Sequence, residues 1–196
     1  MQELKRPVLT GDLMRDVTAY LGETFKDTAR HSIEVAACAR ELAARFKEDP
    51  AAAEAAGLLH DISVVIPNKE KLMRAEEWGI DICKEEELLP MISHQKLSRY
   101  MAAEFFGVKD ENVLSAIECH TTLKNHANKM DQVVFVADKI KWDQAGEPPY
   151  LDSLQESLEE SLEAASLTYI NYLMVHDIIV VHPWLKAAQE WLEYSR

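Results

Sequence analysis

The 196-residue chain is 47% hydrophobic and 28% charged, a mix that fits one globular domain and excludes wholesale disorder. With 34 Asp and Glu against 21 Lys and Arg the formal net charge is -13, which opposes stable binding to nucleic acid or to an anionic membrane. No apolar run approaches the roughly 18 residues of a membrane span, and the charged start MQELKRPVLTGDL does not read as a secretory signal, so cytoplasmic residence is expected.

Almost every segment reads as helix, so the expected class is all-α. Leu13, Val17 and Leu21 follow a start near Asp12, and Thr28 is a candidate cap for a helix carrying His31, Val35, Cys38, Leu42 and Phe46. Pro50 is tolerated in the first turn of the next helix, AAAEAAGLLHDIS, whose small residues suggest close packing and whose end carries His60 and Asp61. Residues 66–90 alternate charged clusters with apolar patches and read as short helices and loops able to cover a site. His94 opens a segment running through Leu97, Met101 and Phe105 to Gly107, and Asp110 is placed to cap ENVLSAIECH, which ends on His120. MDQVVFVADKIK has strand-like composition, but its helical neighbourhood favours a helix carrying Asp138. One long final helix is expected from Asp152 or Ser153, with an apolar stripe of Leu151, Leu154, Leu158, Leu162, Ala165 and Tyr169 facing the core or pairing two copies in a homodimer. A short docked helix follows Pro183. The whole chain, 1–196, reads as a single domain, with core motifs in 25–145 and a C-terminal helical extension in 151–196. Cys38, Cys83 and Cys119 are odd in number and widely spaced, which suggests buried thiols rather than disulfides.

The pair His60-Asp61 is weak evidence alone. Beside it stand His31 in an earlier helix, His94 and His120 in later ones, and Asp138 enclosed by Val136, Ala137 and Ile140. A carboxylate among such neighbours is costly unless paired, hydrogen-bonded or bound to metal. Imidazoles and carboxylates together suit a divalent transition metal.

The order His31, His60-Asp61, Asp138 resembles that of the HD-domain metal-dependent phosphohydrolases. Within that superfamily, AAGLLHDIS, LLPMISH, AIECHTT and VVFVADKI are similar to the YqeK-like group of symmetrical dinucleoside tetraphosphatases. The resemblance spans roughly residues 25 to 145 and implies a compact helical bundle. It assigns His31, His60, Asp61 and Asp138 to the principal metal shell, with Asp61 bridging two ions and His94 and His120 completing the second position. Asp61, His94 and His120 are thereby the expected catalytic residues. Two divalent ions are implied, iron or manganese before zinc or magnesium. His126 is expected at the surface or behind the ligands, and His176 and His182 in structural or solvent-facing roles.

Three departures from the group's pattern point to an altered substrate pocket. Val64 stands where many members carry a lysine three residues after the HD aspartate, leaving Lys69 or Lys71 to supply charge. Lys139, Lys141, Trp142, Asp143 and Gln144 replace the usual acidic-proline element, and Thr28 replaces an arginine ahead of His31. The candidate phosphate contacts are Arg30, Lys96, Arg99, Lys124, Lys139 and Lys141, with Trp142 available to stack on a base. The partner implied is a small phosphorylated substrate, a nucleotide first of all. The sharpest form of the reaction is cleavage of diadenosine tetraphosphate to two ADP. A broad phosphomonoesterase and a catalytically weak nucleotide-binding regulator are the alternatives.

Overall fold

The computed structural model describes residues 4–144, 146–176 and 178–194, and among these it is helical throughout, with no β-strand. The helices are α1 (Leu13–Leu21), α2 (Lys26–Phe46), α3 (Pro50–Leu59), α4 (Asn68–Glu77), α5 (Lys84–Leu88), α6 (His94–Glu104), α7 (Glu111–Cys119), α8 (Lys129–Ile140), α9 (Leu151–Glu160), α10 (Leu162–Val175) and α11 (Pro183–Tyr194). Their starts follow side-chain chemistry. Asp12, Asp49 and Asp110 each accept backbone N–H groups of the first turn of α1, α3 and α7. Asn128 and Asp131 form a reciprocal capping box on α8.

Helix α8 is the centre of the bundle. Val133 to Ala137 have no solvent exposure, because α2, α3, α7 and α10 surround the helix. This accounts for the strand-like composition of VVFVA: a helix buried on all sides needs no polar face. Helices α2 and α3 form the closest pair. An added Cβ on Gly57 would lie 2.6 Å from the Ala36 Cα, so the lack of a side chain at 57 sets the approach of the two backbones. That approach brings the helix carrying His31 against the one ending at His60.

Three expectations need correction. Thr28 does not cap α2; a 3-10 turn at Glu23–Phe25 runs straight into the helix, which begins at Lys26 and leaves Thr28 inside its first turn. The long final helix is two helices. Ser161 is extended (φ -168, ψ 168), and its hydroxyl accepts the Ala164 N–H to start α10. The stripe still faces inward, with Leu154, Leu158, Leu162, Ala165 and Tyr169 buried. Cys38 and Cys119 are buried free thiols, as expected, but Cys83 is only half-buried. No helix of the described residues is long and apolar enough to cross a membrane.

Candidate metal centre

Three histidines reach one point by the same local device. His60 and His120 occupy the C-cap positions of α3 and α7, and His94 is the first residue of α6 after a 3-10 turn. In each, Nδ1 bonds the carbonyl three residues back: Gly57 O at 2.8 Å, Ile117 O at 2.8 Å and Met91 O at 2.7 Å. The Gly57 and Ile117 carbonyls are among those left unpaired at a helix end. A carbonyl can only accept, so Nδ1 carries the proton, and in the neutral ring the Nε2 lone pair is free. The negative ends of the α3 and α7 dipoles meet at the same place and favour a cation.

The Nε2 atoms converge on two carboxylates. Asp61 Oδ1 lies 3.1 Å from His94 Nε2 and 3.5 Å from His120 Nε2, while its Oδ2 lies 3.5 Å from His60 Nε2. Asp138 Oδ1 lies 3.1 Å from His31 Nε2 and 3.6 Å from His60 Nε2. Two groups of ligand-type atoms result, His31, His60 and Asp138 in one and His60, Asp61 and His120 in the other, with His60 common to both. His60 Nε2 is fully buried without a hydrogen-bond partner. Such a set of imidazoles and carboxylates fits a divalent transition metal, and the Nδ1 bonds are the outer contacts that orient such ligands.

Electrostatics agree. Burial alone would raise the Asp61 carboxyl, but His60, His120 and His94 hold it well below the usual range. Burial is likewise overcome at Asp138, by Lys139, His31 and His60. Burial opposes a charge on His60, yet the two carboxylates lift it to about 9, whereas burial and the neighbouring imidazoles push His120 down to about 4. In the metal-free centre a protonated His60 and the Lys139 ammonium balance the two carboxylates, and a metal ion would take the place of the His60 proton.

Two hollows open on Asp61. One of about 270 Å³ is lined by Asp27, Thr28, Arg30, His31, Glu34, Trp142, Asp143 and Gln144. The other, about 170 Å³, is lined by Val64, Asn68, Lys71, Met91 and His94. A larger groove of about 740 Å³ between α1 and α2 contains none of the six candidate ligands.

The basic residues divide sharply. Arg30 lines the larger hollow, close enough to Asp27 for an exposed ion pair. Lys96, Arg99, Lys124, Lys139 and Lys141 line neither hollow. Lys96 is buried on Glu86 and the Asp81 carbonyl, Arg99 pairs with Glu111 and Glu118, and Lys124 pairs with Asp131. Lys139 is buried and bonds Asp138 Oδ2. Lys141 closes α8 as its C-cap. His126 is exposed, His176 stacks on Tyr172, and His182 is buried away from the centre, beside Cys83 and Glu86.

Sequence reasoning overlooked Thr121, whose hydroxyl lies 3.2 Å from His94 Nε2 and 3.1 Å from His120 Nε2. It left Lys71 unresolved; the structure puts its buried ammonium in the wall of the smaller hollow, bonded to the Ile66 carbonyl at 2.9 Å.

A family profile described as HD domain matches residues 28–143, more than half of the chain and all six candidate ligands. The chain belongs to the HD-domain family. It is 47% identical over 138 residues to the uncharacterized protein in the pepC 5' region of Lactococcus lactis subsp. cremoris, covering 70% of this chain and 71% of that one. It is 29% identical over 147 residues to the symmetrical bis(5'-nucleosyl)-tetraphosphatase of Bacillus subtilis (strain 168), covering 74% and 76%. A crystal structure from Clostridium acetobutylicum, described as a predicted HD superfamily hydrolase involved in NAD metabolism, superposes with a TM-score of 0.83 over 97% of this chain and all of that one, at 24% identity, and shows the shared fold. This HD-superfamily protein is a metal-dependent phosphohydrolase acting on a small phosphate or nucleotide compound.

Proposed function

We propose that this HD protein binds two divalent ions and cleaves a dinucleoside polyphosphate, with diadenosine tetraphosphate, cut symmetrically to two ADP, as the leading substrate. The observation that carries this reading is the position of Asp61 at the meeting point of two hollows. A phosphate chain with a nucleoside on each side fits such an arrangement better than a compact monoester. The symmetrical tetraphosphatases of Bacillus subtilis and Staphylococcus aureus (strain NCTC 8325 / PS 47), each 29% identical to this chain, support it.

In this reading His31, His60 and Asp138 would hold one ion and Asp61, His94 and His120 the other, with Asp61 shared between them. The mixed imidazole and carboxylate donors favour iron, manganese or zinc over magnesium, which prefers oxygen ligands alone. When bound, the ions supply an activated water near neutral pH and neutralise the phosphoryl oxygens as the leaving group departs. The remaining work falls to the chain. Lys71 holds a cation against the phosphates entering the smaller hollow. The Thr121 hydroxyl, between the His94 and His120 rings, positions a water or a phosphoryl oxygen. Asp27, Glu34 and Asp143 make the larger hollow hostile to free phosphate, so it takes the nucleoside, with Trp142 against the base and Arg30 at its edge.

The test is product analysis by the metal-replete protein and its Asp61→Ala form against diadenosine tetraphosphate, nucleoside mono- and triphosphates and guanosine tetraphosphate. ADP as the first product from diadenosine tetraphosphate, lost in Asp61→Ala, is the expected result. Phosphate release from monophosphates with diadenosine tetraphosphate untouched would replace this reading with a phosphomonoesterase. No turnover of any of the compounds would leave a nucleotide-binding regulator.

A further inference from the structure

We propose that Cys83, Glu86 and His182 form a second metal site, for a zinc-type ion, that clamps α11 to the segment carrying α5. Cys83 directly precedes α5, Glu86 lies within it, and His182 directly precedes α11, about a hundred residues further along the chain. Cys83 Sγ is 3.4 Å from His182 Nε2, and Glu86 Oε1 is 3.5 Å from the same nitrogen. All three donor atoms lie within 4.8 Å of one another. Ligands at zinc bond lengths around a tetrahedral ion stand roughly 3.3–3.8 Å apart, so the cluster has the size of a coordination shell. None of the three belongs to the centre around Asp61.

The carboxylate supplies the second observation. Glu86 has no solvent exposure. Its Oε2 accepts from Lys96 Nζ at 2.7 Å and from the Cys83 N–H at 2.9 Å. Its Oε1 is buried with no hydrogen-bond partner, and it faces the thiol and the imidazole. The donor nearest to it is the His182 Nε2–H at 3.5 Å, too long for a normal hydrogen bond, and an ion between this oxygen, the thiolate and the imidazole satisfies all three donor atoms more closely. A thiolate, an imidazole and a carboxylate together suit zinc rather than magnesium or calcium.

Loading breaks the S–H bond of Cys83 and forms a metal–sulfur bond, with the proton leaving on the half-exposed side of the thiol and no electron transferred. It also moves the ring proton of His182. In the metal-free protein His182 Nδ1 accepts the Trp184 N–H at 3.1 Å, so the neutral ring carries its hydrogen on Nε2. Coordination through Nε2 places that hydrogen on Nδ1 and releases the Trp184 amide, which lies in the first turn of α11 and can bond water instead. Trp184, whose ring is 5.6 Å from that of His182, therefore senses occupancy.

Cobalt and zinc alone serve as probes. Chelator-stripped protein loaded with cobalt should develop a near-ultraviolet thiolate-to-cobalt charge-transfer band together with a change in tryptophan fluorescence. The band should persist in Asp61→Ala and vanish in Cys83→Ser. On the wild-type protein, with no variant required, zinc should slow alkylation of Cys83, followed by peptide mapping, by about tenfold or more, and chelator should restore the rate. No band at saturating cobalt, a band that survives Cys83→Ser or is lost in Asp61→Ala, or an alkylation rate indifferent to zinc would each overturn the proposal.

Discussion

The Nε2 atoms of His94 and His120 lie 2.9 Å apart, while the Nδ1 of each is committed to a backbone carbonyl. In neutral rings two lone pairs then face each other across a gap too short to be comfortable. A shared proton or a metal ion relieves the repulsion, and Asp61 Oδ1 beside both rings favours the cation. Binding that acts only on the folded state adds about 2.7 kcal/mol at a hundredfold excess over Kd. For a chain of this size, removing the metal with a chelator should lower Tm by roughly 5–10 °C, and scanning calorimetry with and without chelator measures it. In His120→Ala the chelator should have a much smaller effect.

Lys71 is a cation that mildly alkaline pH removes. Burial pulls its ammonium down to about 8, although Asp61 opposes the shift. Below that value Lys71 is charged and able to bond a phosphate; above it the cation is lost. KM for the phosphate substrate should therefore rise as pH climbs through about 8. Lys71→Met should remove that limb and lower kcat/KM by about 10–100-fold, the equivalent of one charge-assisted hydrogen bond. Steady-state profiles of both proteins decide the matter, and an unchanged alkaline limb in the variant would exclude Lys71 as its source.

What the sequence disclosed and what it hid divide along physical lines. Most of the helices and the cap at Asp110 were legible, because periodicity and capping chemistry are local signals, whereas the six ligand candidates could be joined only through the resemblance of their ordered motifs to a family. The break at Ser161 was hidden because the apolar spacing from Leu158 to Leu162 continues across it. Lys96 was nominated for its nearness to His94, yet side chains two apart on a helix point about 200° from each other, and Lys96 turns instead to Glu86. Lys139, adjacent to Asp138, supports the carboxylate rather than facing the hollows. The place of Lys71 depends on how α4 folds back over Asp61, which no spacing reveals.

Gly57 links the fold to the site. A Cβ there would sit 2.6 Å from Ala36 Cα and 2.8 Å from Ala36 N, both backbone atoms that cannot swing aside. Replacing a mid-helix glycine by alanine normally stabilises by about 1 kcal/mol, but here the clash should dominate. Gly57→Ala should destabilise by about 1–3 kcal/mol in urea denaturation. It should also weaken metal binding, because α2 and α3 carry His31 and His60 just beyond that contact, their rings 5.1 Å apart. A stabilised variant would mean that the helices separate without loss.

Lys139 and the metal answer the same need, and this sets a differential outcome. Lys139 bonds Asp138 Oδ2, leaving Oδ1 to His31 and His60, and its ammonium lies over the rings of Phe135 and Tyr169. Without the lysine, Asp138 is a largely buried carboxylate short of a counter-ion, a loss of about 3 kcal/mol or more. A divalent ion held by Oδ1 supplies positive charge to the same carboxylate. Lys139→Met should therefore destabilise the chelated protein by the full amount and the metal-loaded protein by clearly less, so that the rise in Tm on adding metal is larger in the variant than in the wild type. Equal losses with and without metal would show that Lys139 acts through packing on Phe135 and Tyr169 rather than through the charge on Asp138.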